Sequence, residues 1–177
     1  GKEKQALTKG NFDIIDFYGY DPVRKLFYYS SYEESPVEKY VYSINTKGQK
    51  KKLTPTKGWN EASFSKTFNY YINVASNTEL PPVTTLYNAK GKAVRVLAEN
   101  KKVSEKLQDY TLSKREFIQI PAADGKTMLN AWMMKPVNME AGKNYPLLIT
   151  QYSGPNSQQV MNKWSLNWLD YLAQEGF

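Results

Sequence analysis

Apolar and aromatic positions come in short runs along the first hundred residues, separated by polar clusters. FDIIDFYGYD, KLFYYSSY and YVYSIN are dense in aromatic and β-branched types, which suit a pleated, half-buried surface and predict strands. Between such runs stand NTKG and NAKG. Their Asn and Gly fit the positive-φ positions of tight hairpin turns.

The pattern repeats. Residues 27–55 and 69–99 each contain a Tyr-Tyr strand, a Pro-bearing polar turn, a short aromatic strand, an Asn-x-x-Gly turn and a strand ending in Leu. Tyr28 and Tyr70 are 42 apart, and Gly48 and Gly91 are 43 apart. That period is the size of one four-stranded propeller blade. FDIIDFYGYD and NEASFSKT stand where the inner strand of each blade belongs. Two blades cannot close a ring, which takes about four to eight. The chain is then a piece of something larger, or the two units pack as an open sandwich. A plain β-meander with chance similarity is the alternative.

The pattern changes after residue 99. Residues 100–116 are polar and helix-prone, with Val103 and Leu107 on one stripe, and predict a short linking helix. EFIQIPA and TMLNAWMMKP predict two strands around the turn signal DGK. YPLLITQY is apolar throughout and predicts a third strand buried on both faces. WSLNWLDYLAQEGF predicts a helix, capped by Ser165 or Asn167, with Trp168 and Leu172 sharing a face and Gly176 as the stop. Hairpin, third strand, special loop and helix is the opening order of an α/β-hydrolase sheet. That fold places part of its oxyanion hole in the loop after the third strand.

The loop here is QYSGPNSQQV. A phenol at the end of a buried strand can donate one hydrogen bond to the charge that develops in acyl transfer. Gly154-Pro155 would turn the chain sharply and stiffen it. Tyr152 is therefore the candidate oxyanion-hole donor. The other reading makes it a packing residue with its hydroxyl at the surface.

Composition removes several chemistries. The 177 residues suffice for one ordinary domain or parts of two. Without Cys there are no disulfides, zinc-thiolate sites or thiol nucleophiles, and without His no Ser-His-Asp triad forms within this chain. No cofactor is expected, and no Asp-rich loop suggests an all-oxygen metal site. No signal peptide opens the chain, and no apolar run approaches a membrane span. The net charge is +7, concentrated in KGQKKK at 47–52. We read that run as a solvated hairpin tip whose lysines protect a sheet edge. No recognition helix or stacking motif accompanies it, so nucleic acid is not the expected partner.

YPLLITQYSGPNSQQV together with LNWLDYLAQEGF resembles the dipeptidyl peptidase IV branch of the prolyl oligopeptidase family. SFSKTFNYYINVASNTELPPVTTLYNAKGKAVRVLAEN resembles that branch's last propeller blade. The resemblance runs from about Asn11 onward, and its most specific part is Tyr-small-Gly-Pro after an apolar strand. It implies a serine exopeptidase that releases N-terminal dipeptides with Pro or Ala in second position, and a propeller covering an α/β-hydrolase domain. By the same resemblance, Tyr152 donates its hydroxyl to the oxyanion. Ser153 stands where the family often has Ala or Gly, and Asn156 where some relatives have Cys. The Gly-x-Ser-x-Gly nucleophile motif and the triad Asp and His are not in this chain. The family's paired glutamates belong to an earlier propeller segment. Glu33 and Glu34 sit in a hairpin turn and do not inherit that role. Bacterial members imply a periplasmic or extracytoplasmic location.

The expected fold is mainly β with some α/β. Residues 1–112 would form the last two propeller blades, and residues 113–177 would open the α/β-hydrolase domain. The chain is expected to be an internal fragment, inactive alone, that self-associates through exposed strand edges. The competing functional reading is a stand-alone β-rich module that binds peptide or glycan through surface tyrosines.

Overall fold

The computed structural model describes residues 5–177 apart from Ser153 and Asn156. Two four-stranded antiparallel meanders dominate it. The first runs β1 (Ile14–Asp21), β2 (Leu26–Ser31), β3 (Tyr40–Asn45) and β4 (Lys50–Lys52). The second runs β5 (Trp59–Phe64), β6 (Tyr70–Ser76), β7 (Val83–Asn88) and β8 (Ala93–Ala98). Helix α1 (Lys101–Leu107) follows, then an isolated hairpin of β9 (Glu116–Pro121) and β10 (Met128–Met133), and later helix α2 (Trp168–Gln174).

The two meanders are structural copies. In the β3–β4 turn, Asn45 Oδ1 accepts from the backbone N–H groups of Lys47 at 2.9 Å and Gln49 at 3.0 Å, and Gly48 takes φ 77°. In the β7–β8 turn, Asn88 Oδ1 accepts from Lys90 at 3.0 Å and Lys92 at 3.1 Å, and Gly91 takes φ 78°. The tyrosine pairs, however, are not equivalent positions. Leu26 lies opposite Asn45, whereas Tyr70 lies opposite Asn88. Register therefore matches Tyr70 with Leu26, and Ile72 with Tyr28. The slip is two residues, the side-chain period of a strand, so each side chain keeps its face.

Face-to-face packing of the two sheets builds the main core. Tyr28, Val41 and Leu53 of the first unit meet Tyr71 and Tyr87 of the second, all buried. Phe68 holds φ 54° in the β5–β6 turn and stacks on Tyr28 with ring centroids 5.0 Å apart. Gly19 makes room for it, since a Cβ there would lie 2.7 Å from the Phe68 ring. The Tyr71 hydroxyl donates to the Leu53 carbonyl at 2.8 Å, which removes the cost of burying the phenol. A second cluster, Tyr29, Tyr40, Tyr42 and Ile44, covers the other face of the first sheet. On the opposite face of the second sheet Tyr70 and Ile72 are exposed. The sheets do not close into a ring.

Lysines 50 and 52 form ion pairs with Glu33 and Glu34, so much of the basic run is balanced locally. The turn carrying Glu33 and Glu34 is only partly solvated. The Glu33 side chain is only 6% exposed and accepts from the Ser31 hydroxyl at 2.9 Å as well as from Lys50.

The expectation for YPLLITQY fails. Residues 143–152 are irregular, and Leu147 and Ile149 are each 78% exposed. A strand buried on both faces needs a hydrogen-bonding neighbour along each edge. Among the described residues β9 and β10 pair only with each other. The third strand of the expected hydrolase opening is therefore not formed.

Candidate functional site

Tyr152 is 63% exposed at the end of this irregular segment. Its ring folds back over Gly154, where an added Cβ would lie 2.5 Å from the ring and 2.7 Å from the hydroxyl oxygen. Glycine at 154 is thus a steric condition for this ring position. Neighbours Ser153 and Asn156, read as the small residue of the motif and a tolerated replacement, lie outside the described residues.

The chain that follows is tied down strongly. Gln158 donates through Nε2 to the Pro36 carbonyl at 2.6 Å. Asn162 donates its backbone N–H to the Val37 carbonyl at 2.7 Å and its side-chain Nδ2 to Glu38 Oε1 at 2.8 Å. Its Oδ1 accepts from the Thr78 backbone N–H at 3.1 Å. Lys163 pairs with Glu61 at 2.8 Å, and the Trp164 N–H reaches the Ser76 hydroxyl at 3.3 Å. These partners come from both meanders and converge where the two sheets meet.

The seam has its own framework. Lys39, just before β3, forms an isolated parallel bridge with Trp59 at the start of β5. Asn60, fully buried, donates through Nδ2 to the carbonyls of Lys39 at 3.0 Å and Thr56 at 2.9 Å. Gly58 has φ 120°, and a Cβ there would sit 2.3 Å from the Ser76 carbonyl oxygen and 3.1 Å from that of Asn162. Glu38, 6% exposed, also accepts from the Tyr40 hydroxyl at 2.7 Å. Burial, with the Glu38 carboxylate beside it, drives the Tyr40 phenol well above the usual range, so it stays a neutral donor.

Helix α2 is held separately. Asn167 caps it, accepting from the Leu169 N–H at 2.9 Å, and Asp170 completes a capping box. Of the two expected caps, Asn167 is the one used. The face expected to be apolar is not the buried one. Trp168 is 58% exposed, while Asp170 and Ala173 are buried. Asp170 turns inward because Arg115 donates to its carboxylate at 3.0 Å.

Of the sequence-predicted site, one residue is present, and it faces solvent. A solvent-facing phenol can hydrogen-bond a developing oxyanion but cannot activate a nucleophile. Asn162 and Glu38 were not singled out in the sequence. Nothing local marks them, since their bond spans 124 positions.

The family model for the dipeptidyl peptidase IV N-terminal region matches residues 1–82. A probable dipeptidyl peptidase 4 of Aspergillus flavus is 30% identical over 99% of this chain, and the dipeptidyl peptidase 4 of Trichophyton rubrum is 32% identical over the same share. The chain spans 23% of the length of each. The crystal structure of Porphyromonas gingivalis dipeptidyl peptidase 4 superposes with a TM-score of 0.93 over 98% of this chain and 24% of its own, at 40% identity. That of a putative dipeptidyl aminopeptidase IV from Bacteroides ovatus gives 0.80 at 28% identity, over 99% of this chain and 25% of its own. The match continues through the meanders, the hairpin and the tethered loop, and the chain belongs to the dipeptidyl peptidase IV family.

Proposed function

We propose that this chain is part of a serine dipeptidyl aminopeptidase. In this reading residues 1–112 supply two propeller blades, and residues 113–177 open the α/β-hydrolase domain. The substrates are peptides with Pro or Ala in second position. What carries the reading is the likeness to Porphyromonas gingivalis dipeptidyl peptidase 4 over 98% of this chain. It is supported by the Tyr-Ser-Gly-Pro sequence at 152–155. YPLLITQY would gain strand neighbours only from a larger sheet.

The chemistry assigned to this chain is narrow. A serine oxygen, supplied by the rest of the full-length protein, bonds to the scissile carbonyl carbon as a base takes its proton. The carbonyl π pair moves onto oxygen, and the Tyr152 hydroxyl hydrogen-bonds that oxyanion. The pair returns as the C–N bond breaks and the amine leaves with a proton. The chain alone contains no imidazole to act as that base.

The binding-module alternative is left with fewer residues than the composition suggests: Tyr28, Tyr29, Tyr40, Tyr42, Tyr71 and Tyr87 are buried, while Tyr20, Tyr70, Tyr110, Tyr152 and Tyr171 are exposed.

The test is Tyr152→Phe in the full-length protein, assayed on a Gly-Pro anilide. Losing one oxyanion donor costs about a hundred- to a thousandfold in kcat, with KM changing much less. A kcat within a few-fold of the parent would make Tyr152 a packing residue. Turnover of the same substrate by residues 1–177 alone would overturn the assignment of nucleophile and base to the rest of the protein.

A further inference from the structure

Tyr152 is exposed, yet an oxyanion donor must be held in place. A misplacement of about 1 Å can cost on the order of a hundredfold. Its own side chain does not supply that restraint. The restraint begins a few residues on, where the chain meets the seam between the two meanders.

Asn162 is the centre of that attachment. It is buried to 9% exposure, and its donor and acceptor atoms face different sheets. Nδ2 reaches Glu38, which leads into β3 of the first sheet, at 2.8 Å. Oδ1 takes the N–H of Thr78, which follows β6 of the second sheet, at 3.1 Å. The Asn162 backbone N–H binds the Val37 carbonyl at 2.7 Å. A single amide side chain therefore joins the loop to both sheets at once.

We propose that Asn162 is a positioning residue for Tyr152, acting through its bonds to Glu38 and Thr78 and so making the oxyanion donor's placement depend on the packing of the two sheets. The proposal rests on the peptidase reading given above. Removing the amide takes the hydrogen bond from Glu38 Oε1, leaving that carboxylate held through Oε2 by the Tyr40 hydroxyl, and leaves the Thr78 N–H without its acceptor. Residues 157–164 then lose their central attachment and the Tyr152 ring its fixed distance from the reacting carbonyl. Glu38→Gln keeps an acceptor oxygen for Nδ2, whereas Glu38→Ala does not.

The experiment is a double-mutant cycle in the full-length protein, with kcat and KM measured on a Gly-Pro anilide for Asn162→Ala, Glu38→Ala, Glu38→Gln and Tyr152→Phe. Asn162→Ala and Glu38→Ala should each lower kcat about tenfold or more with little change in KM, and Glu38→Gln should restore most of it. Neither alanine variant should lower kcat further in the Tyr152→Phe background, because both act through that hydroxyl. If Tyr152→Phe is impaired but Asn162→Ala keeps its kcat, or its loss adds in full to that of Tyr152→Phe, the positioning role is wrong and the peptidase reading stands. If Tyr152→Phe is itself silent, the oxyanion reading fails and this inference with it. Should Asn162→Ala not fold, the contrast between Glu38→Ala and Glu38→Gln decides alone.

Discussion

Arg115 donates to the Asp170 carboxylate at 3.0 Å, and both side chains are almost out of solvent, at 6% and 7% exposure. This bond joins the residue just before β9 to the first turn of α2, 55 positions away. The same carboxylate oxygen accepts the Asn167 N–H at 2.8 Å, so it both pairs and caps. Breaking such a buried pair from one side strands a charge. Arg115→Met should therefore cost about 3–5 kcal/mol, read as a lower denaturant midpoint. The double variant Arg115→Met/Asp170→Leu should lose less than Arg115→Met alone, because no charge is left unpaired.

Gly58 is the tightest backbone position at the seam. Its φ of 120° is strained for any other residue, and a Cβ would meet the Ser76 carbonyl at 2.3 Å. Gly58→Ala should destabilise by about 2–3 kcal/mol, through backbone strain and displacement of the end of β6. Gly125→Ala is the control. Its φ is 65°, but nothing lies within 4 Å, so only the left-handed conformation counts and the cost should be about 1–2 kcal/mol. Parallel thermal melts of the two variants check the difference.

Asp21 links stability to acid. Burial alone would raise its pKa. The Arg24 guanidinium at 2.6 Å, with the N–H groups of Arg24 and Val23, outweighs burial and holds it below the usual carboxylate range. A carboxyl lowered by folding contributes stability that is fully present above its unfolded value of about 3.9 and is lost as pH falls through the folded value. The acid limb of the stability curve should therefore fall below about pH 4. Asp21→Asn should flatten that limb while lowering stability at neutral pH.

Tyr29 gives the opposite limb. Burial pushes its phenol up to about 12. A phenol raised by folding stabilises below its unfolded value of about 10, and the contribution is lost as pH rises through the folded value. Tyr29→Phe should shift alkaline unfolding to higher pH, checked by circular dichroism between neutral pH and about pH 12.

Gly154 separates folding from placement of the phenol. The atoms that a Cβ would strike are the far end of the Tyr152 ring, which is exposed and can swing aside. Gly154→Ala should leave the thermal midpoint of the chain within about 1 °C, since the only atoms in the way belong to a side chain that can move into solvent. In the full-length protein it should lower kcat in the direction of Tyr152→Phe.

How much was legible depends on the range of the interactions involved. The hairpins were readable because a strand's alternation and the Asn-x-x-Gly turn are local, and NTKG and NAKG fold into the same turn geometry. The Asn167 cap was readable for the same reason. The tyrosine repeat had the right face but a two-residue slip, because period-two patterning reports parity and not register. YPLLITQY misled because an apolar run records only that a segment can be buried. Whether it becomes a strand depends on neighbours along its edges.

By itself, then, the amino-acid order determined the meanders, the hairpin turns, the α2 cap, the absence of imidazole and thiol chemistry, and the Tyr-Ser-Gly-Pro motif. Tertiary structure decided which faces of the two sheets meet, that Asp170 turns inward to Arg115, and that Asn162 joins the loop after Tyr152 to Glu38 and Thr78. Those bonds link positions 55, 124 and 84 residues apart. An Asn in a polar loop looks like any other until packing removes water from it. Only then must its donor and acceptor find protein partners, and the fold alone determines which partners are within reach.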